Sequence, residues 1–177
     1  MAEQFMETMV RTALWQQFSA AIAMLENALL ACPETLWQEH LWIDAENADD
    51  GTFWEITYHT LGCLERFLTG CSEEALPVFK KRSDGVIPRE ELRPYLVQLR
   101  QTCQTTFAAL SEEKAHQQYS FPWPGGATVS YFELLLYTLR HVQEHATQLS
   151  LFLGQHAIPD EALHWVQRAK EEAETGL

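Results

Sequence analysis

His141 and His145 stand four residues apart in the run Leu134-Leu135-Leu136-Tyr137-Thr138-Leu139-Arg140-His141-Val142-Gln143-Glu144-His145-Ala146-Thr147-Gln148-Leu149. In an α-helix each residue turns the chain by about 100° and raises it by about 1.5 Å. Residues i and i+4 therefore share a face one turn apart, where two imidazoles can bind one metal ion. The chain carries 7 histidines, and chance alone would place some pair at this spacing roughly one time in four. The pair needs a further ligand from a neighbouring element to mean anything chemically.

Helical phase points to that ligand. With Leu135 as the zero direction, Leu139, Val142, Ala146, Leu149 and Leu153 fall within about 40° and form a seam that faces a core. His141 and His145 lie about 120° and 80° to one side, at the border of that seam. His59 occupies the matching border of an upstream run whose apolar stripe is Phe53, Ile56, Thr60, Cys63, Leu64 and Phe67. Packing the two helices together can bring His59, His141 and His145 to one semi-buried point. Three nitrogen ligands would leave coordination positions open for water or substrate, the mark of a catalytic rather than a structural metal site. Glu55, Tyr137 and Gln148 are the nearby candidates for a base or a substrate-positioning group.

The same segment also spells H-x-x-E-H, the signature of inverted zinc metalloproteases. Glu144, however, points about 180° from the apolar seam, which suits a solvated face or a partner behind His141. Those proteases take their third ligand from far downstream, and 32 residues remain after His145. His40, His116, His156 and His164 have no paired spacing and are expected at the surface. Cys32, Cys63, Cys71 and Cys103 contain no C-x-x-C. They read as core or near-core thiols, with Cys63 on its helix's apolar stripe the clearest case.

Four long amphipathic segments must position these residues. The first, about 4 to 31, offers two adjoining apolar rows. One comprises Phe5, Met9, Thr12/Ala13, Gln16, Ala20, Ala23/Met24 and Asn27/Ala28; the other comprises Leu14, Phe18, Ile22, Leu25 and Leu29. Pro33 ends it, and Trp37 and Trp42 in the following connection are expected to cover one end of the core. The second, about 52 to 69, starts at an N-cap from Asp50 or Thr52. Trp54, Tyr58 and Leu61 give it a second apolar face, so it is either central in a bundle or half of a self-association surface. The third runs from 89 to 111 after Pro88, with Pro94 tolerated near its start. Residues 112 to 126 read as an irregular loop. The fourth helix opens at Thr128 or Ser130, with Glu133 completing a capping-box pattern, and ends near Gly154. Pro159 opens a short fifth helix to about 172. The expectation is an all-α protein, a four-helix bundle with long connections and a short extra C-terminal helix, forming a single domain over 1–177.

Composition removes several function classes. With 12 Lys+Arg against 25 Asp+Glu, the net charge is −13, which opposes the phosphate neutralisation that nucleic-acid binding requires and disfavours anionic membranes. The first 20 residues lack the charged-then-apolar order of a signal peptide, and nowhere do 18 apolar residues run together. A cytoplasmic protein is expected.

The tryptophan-led run Phe53-Trp54-Glu55-Ile56-Thr57-Tyr58-His59-Thr60-Leu61, followed much later by H-x-x-x-H and a Gln-Leu pair, resembles the DinB-like family over roughly residues 5 to 155. The resemblance implies a four-helix bundle in which His59, His141 and His145 bind a divalent metal: zinc, nickel, iron or manganese. The family's common H-H-x-G-Q ending stands here as His145-Ala146-Thr147-Gln148, without the glycine. Several relatives transfer low-molecular-weight thiols such as bacillithiol or mycothiol, or isomerise substrates with their help. The resemblance thus implies a metal-dependent thiol S-transferase or hydrolase that uses a metal-activated thiol or water. The alternative is a non-catalytic helical homodimer with a stress-related or structural role, whose partner surface would carry Trp54 and Tyr58.

Overall fold

The structure, a computed structural model, describes residues 2–42, 51–70, 85–158 and 165–166, with side chains of the first helix from residue 8 onward. Helix α1 spans Ala2–Ala31, α2 Phe53–Leu68, α3 Arg89–Ala108, α4 Glu112–His116 and α5 Tyr131–Gln155. A short 3-10 turn covers Glu34–Leu36. Strands β1, Gln118–Ser120, and β2, Thr128–Ser130, pair antiparallel with Tyr119 opposite Val129. The architecture is an all-α bundle with one small hairpin. Of the expected C-terminal helix at 159 to 172 only Trp165 and Val166 are described, and neither is helical; the rest of it, the basic run Lys80-Lys81-Arg82, Cys71 and His164 lie outside the described residues.

Helices α1 and α2 each pack against both α3 and α5, so α1 sits diagonal to α2 and α3 diagonal to α5, and the bundle is not a simple up-and-down series. Side chains fix the register of each pair. Arg11 Nε donates to the Leu110 carbonyl at 2.6 Å near one end of α1, and Arg89 donates to the Cys32 carbonyl at the other. The Arg100–Glu26 ion pair, 2.9 Å, lies between them. On the other side of the bundle, the Phe53 and Phe152 rings meet at 6.0 Å, and the buried Tyr131 hydroxyl donates to the Leu68 carbonyl at 2.6 Å. The start of α2 thus meets the end of α5 and the reverse, an antiparallel pair.

Local chemistry explains the helix limits. Thr52 rather than Asp50 caps α2: its hydroxyl accepts from the Glu55 amide while the Glu55 carboxylate reaches back to the Thr52 amide, a reciprocal capping box. Gly70, at φ +74°, closes the same helix in a conformation that an L side chain resists. A Cβ there would also lie 2.1 Å from the Tyr119 ring of the hairpin. Pro88 is the N-cap of α3. Ser130 caps α5 by accepting from the Glu133 amide. Thr57, Thr60 and Thr138 are fully buried, yet each hydroxyl donates to the carbonyl four residues back, at 2.9, 2.6 and 2.7 Å. These polar groups therefore enter the core without an unmet hydrogen bond.

Three expectations need correction. In α1 the row Leu14, Phe18, Ile22, Leu25 and Leu29 is buried throughout, whereas of the adjoining row Ala20, Met24 and Ala28 are buried and Met9 is 47% exposed; the packing of α3 and α5 decides how much of each row is covered. Residues 112 to 126 are not irregular throughout: 112 to 120 hold α4, capped by Ser111, and β1, while 121 to 126 lie in the irregular loop that joins β1 to β2. Such five- and three-residue elements are too short to show a period. Trp54 and Tyr58 are 7% and 3% exposed and belong to the core, so they offer no partner surface. Helix α2 is the central kind. Trp37 is buried with its Nε1 donating to the Ile87 carbonyl at 3.0 Å, while Trp42 stays exposed.

Trp54→Ala is expected to cost about 3–5 kcal/mol of stability, read as a lower urea midpoint, with no change of mass on a sizing column. A change of mass at unaltered stability would return Trp54 to a partner surface.

Candidate metal centre

Facing positions of α2 and α5 build the site. His59 lies midway along α2, and the antiparallel register set by Phe53–Phe152 and Tyr131–Leu68 brings it opposite His141 and His145. The His59 and His141 Nε2 atoms are 3.1 Å apart, and the His145 and His141 Nε2 atoms 3.2 Å. The His59 and His145 rings meet edge to face at 5.2 Å. The three imidazoles singled out by helical phase do come together, with His141 in the middle.

The electrostatics suit a cation. Gln148 Oε1 accepts from His145 Nδ1 at 2.7 Å, which leaves the lone pair on Nε2 and aims it at His141. His141 is half-buried, and its Nδ1 is buried with no hydrogen-bond partner among the described residues. Burial first, and then the neighbouring His145 and His59, push its pKa down to about 3, so the ring is neutral at pH 7. A single ring proton on His141 Nε2 can satisfy one facing nitrogen but not both. A divalent ion at the point of convergence would satisfy every lone pair at once.

One member of the cluster escaped sequence reasoning. Cys63, read as a core thiol, is only partly buried, and its Sγ lies 3.7 Å from His59 Nε2 and 3.8 Å from Nδ1. Among the described residues, His59, Cys63 and His141 form a group whose donor atoms all lie within 4.8 Å of one another, and which could hold a metal ion. His145 joins this group through His141. The signal was available, because His59 and Cys63 have the same i, i+4 spacing as the later pair.

The remaining candidates separate. The Glu55 carboxylate is committed to the cap, accepting from the Thr52 hydroxyl at 3.0 Å; it is a fold element and not a base at the cluster. Glu144 is exposed and does not back His141. It lines a cavity of about 630 Å³ on another flank of α5, with Gln17, Arg140, Gln143 and Thr147. Tyr137 lies beside the cluster, its ring stacked on that of His141 at 6.0 Å. It continues into an aromatic wall with Phe67 and Phe121, 5.5 and 4.8 Å away, and the exposed Trp123 stacks on Phe121 at 4.5 Å. His40, His116 and His156 are exposed, as expected.

The family model of the DinB superfamily matches residues 13–149, which takes in all of α2, α3 and the three clustered histidines. No curated protein matches the chain. The chain belongs to the DinB superfamily. Among the described residues, no helix is long and apolar enough to cross a membrane.

Cys32 and Cys103 are buried, and desolvation pushes both thiols up to about 12. At pH 8 each is thiolate in roughly one molecule in ten thousand. Iodoacetamide at pH 8 is therefore expected to alkylate Cys63 in the folded protein while sparing Cys32 and Cys103, as read by peptide mass mapping. Equal labelling of all three would show that the core admits the reagent.

Proposed function

We propose that this member of the DinB superfamily binds one divalent metal ion through His59, His141 and His145 and uses it as a thiol S-transferase or hydrolase. The observation that carries this is the convergence of three imidazole Nε2 atoms, at 3.1 and 3.2 Å, from two helices whose register is fixed at both ends. Zinc, nickel, iron or manganese would suit the donor set, with availability deciding among them. When bound, the ion would lower the pKa of a thiol or water, providing thiolate or hydroxide near neutral pH.

The chain's own residues supply the rest. Gln148 orients His145, and burial keeps His141 neutral and ready to ligate. His59 is exposed, so substrates can approach from the α2 side. Tyr137, Phe121 and Trp123, backed by the buried Phe67, give the apolar portion of a substrate a surface to lie against beside His141. A low-molecular-weight thiol would be the nucleophile and a small electrophile its acceptor. The chain's acidic balance, 25 Asp+Glu against 12 Lys+Arg, fits a cytoplasmic setting. The alternative of a non-catalytic homodimer keeps no candidate surface on α2, where Trp54 and Tyr58 are buried.

Elemental analysis of protein prepared without a metal-binding tag is expected to find about one divalent ion per chain. The His141→Ala/His145→Ala double variant should lose the ion while retaining its helical circular dichroism. A wild-type protein that carries none, and takes up none on dialysis against zinc, nickel or manganese, would remove the site.

His59→Ala is expected to abolish thiol-transfer turnover with the metal supplied in excess. Unaltered turnover in this variant would move the chemistry elsewhere. Metal added at about 100 times its dissociation constant should also raise unfolding stability by about 2.7 kcal/mol, and the double variant should show no such gain.

A further inference from the structure

Cys63 differs from the other described thiols in every respect that matters to a metal. Cys32 and Cys103 are sealed in the core, whereas Cys63 is partly exposed and one helical turn from His59 on the same face of α2. Each of the two facing helices thus contributes an i, i+4 pair of donors: His59 and Cys63 from α2, His141 and His145 from α5.

The spacings suit a single small ion. Zinc bonds of about 2.0–2.1 Å to nitrogen and 2.3 Å to sulfur, set at tetrahedral angles, place nitrogens ~3.3 Å apart and sulfur ~3.6 Å from nitrogen. Within the group His59, Cys63 and His141, whose donor atoms all lie within 4.8 Å of one another, the observed separations are 3.1 Å between ring nitrogens and 3.7 Å from Cys63 Sγ to His59 Nε2, and His145 Nε2 lies 3.2 Å from His141 Nε2. The donor chemistry agrees as well, since a three-histidine, one-thiolate set suits borderline and soft divalent ions.

Resting on the metal site described above, we infer that Cys63 is a thiolate ligand that closes the site as a fourth protein donor, and that a small thiol reaches the ion by displacing it. Binding of the ion releases the Cys63 S–H proton to solvent as the sulfur–metal bond forms. Displacement returns a proton to Cys63 from the incoming thiol, so sulfur exchanges for sulfur with no change of oxidation state. Cys63 then acts as a built-in competitor, keeping the ion from open solvent until a thiol arrives.

Cobalt(II) tests this without any turnover assay. Wild-type protein loaded with cobalt should show both the visible bands of a four-coordinate ion and a near-ultraviolet sulfur-to-cobalt charge-transfer band. Cys63→Ser should keep about one cobalt per chain by elemental analysis while losing the charge-transfer band. Titration with 2-mercaptoethanol should restore that band in Cys63→Ser. It should do so at thiol concentrations lower, by on the order of tenfold or more, than those needed to perturb the wild-type spectrum, because a tethered ligand competes at high effective concentration. Cobalt bound by the wild type without a charge-transfer band, or with a band that survives Cys63→Ser, would overturn ligation by Cys63 and leave the histidine site standing. Equal thiol titrations of the two proteins would overturn the displacement. Absence of cobalt uptake by the wild type would overturn the underlying metal site as well.

Discussion

The antiparallel seating of α2 on α5 is the constraint on which the site depends. It is clamped at one end by the Tyr131 hydroxyl on the Leu68 carbonyl and at the other by the Phe53 and Phe152 rings. Between the clamps two rigid rods rise about 1.5 Å per residue, so the position of every facing residue follows from the register. A slip by one residue would turn each side chain by about 100° and carry His59 away from His141. The cap at Thr52 and the positive-φ Gly70 against the hairpin fix the two ends of α2, and the fully buried threonines, bonded within their own helices, let α2 and α5 close on each other without an unmet hydrogen bond.

Within this frame the cluster is a place of deliberate electrostatic crowding. Three imidazoles share a small volume, and the middle one can neither take up a proton cheaply nor find a partner for its buried Nδ1 among the described residues. Polar groups held together in this way cost stability unless something resolves them. A cation is the simplest agent that does so, and local crowding of this kind is a common price of a functional site.

Much of this was legible in the chain. The seam of α5 could be read from Leu135, Val142, Ala146, Leu149 and Leu153, all fully buried, because every position within about 40° of Leu135 is apolar. The border position of His141, His145 and His59 followed from the same geometry, and the family resemblance agreed with it. Less was legible where the pattern was double or short. Two adjoining apolar rows on α1 blurred its phase. The elements between 112 and 130 were too brief for any period. Trp54 and Tyr58 left α2 either central or self-associating, because no single helix reveals how many neighbours surround it.

Cys63 marks the boundary between the two kinds of information. Residue type and spacing by themselves determined the helical class, the principal seams and a set of histidines able to meet, because periodicity within a helix is a local property of the chain. Whether a cysteine on the edge of a stripe is a core filler or a donor depends on what the facing helix presents to it. Only the packing of α5 against α2 decided that, by bringing His141 close to both His59 and the Cys63 sulfur. The same packing withdrew Glu55 into a cap and buried Trp54, since the environment of a side chain is made by segments distant in sequence.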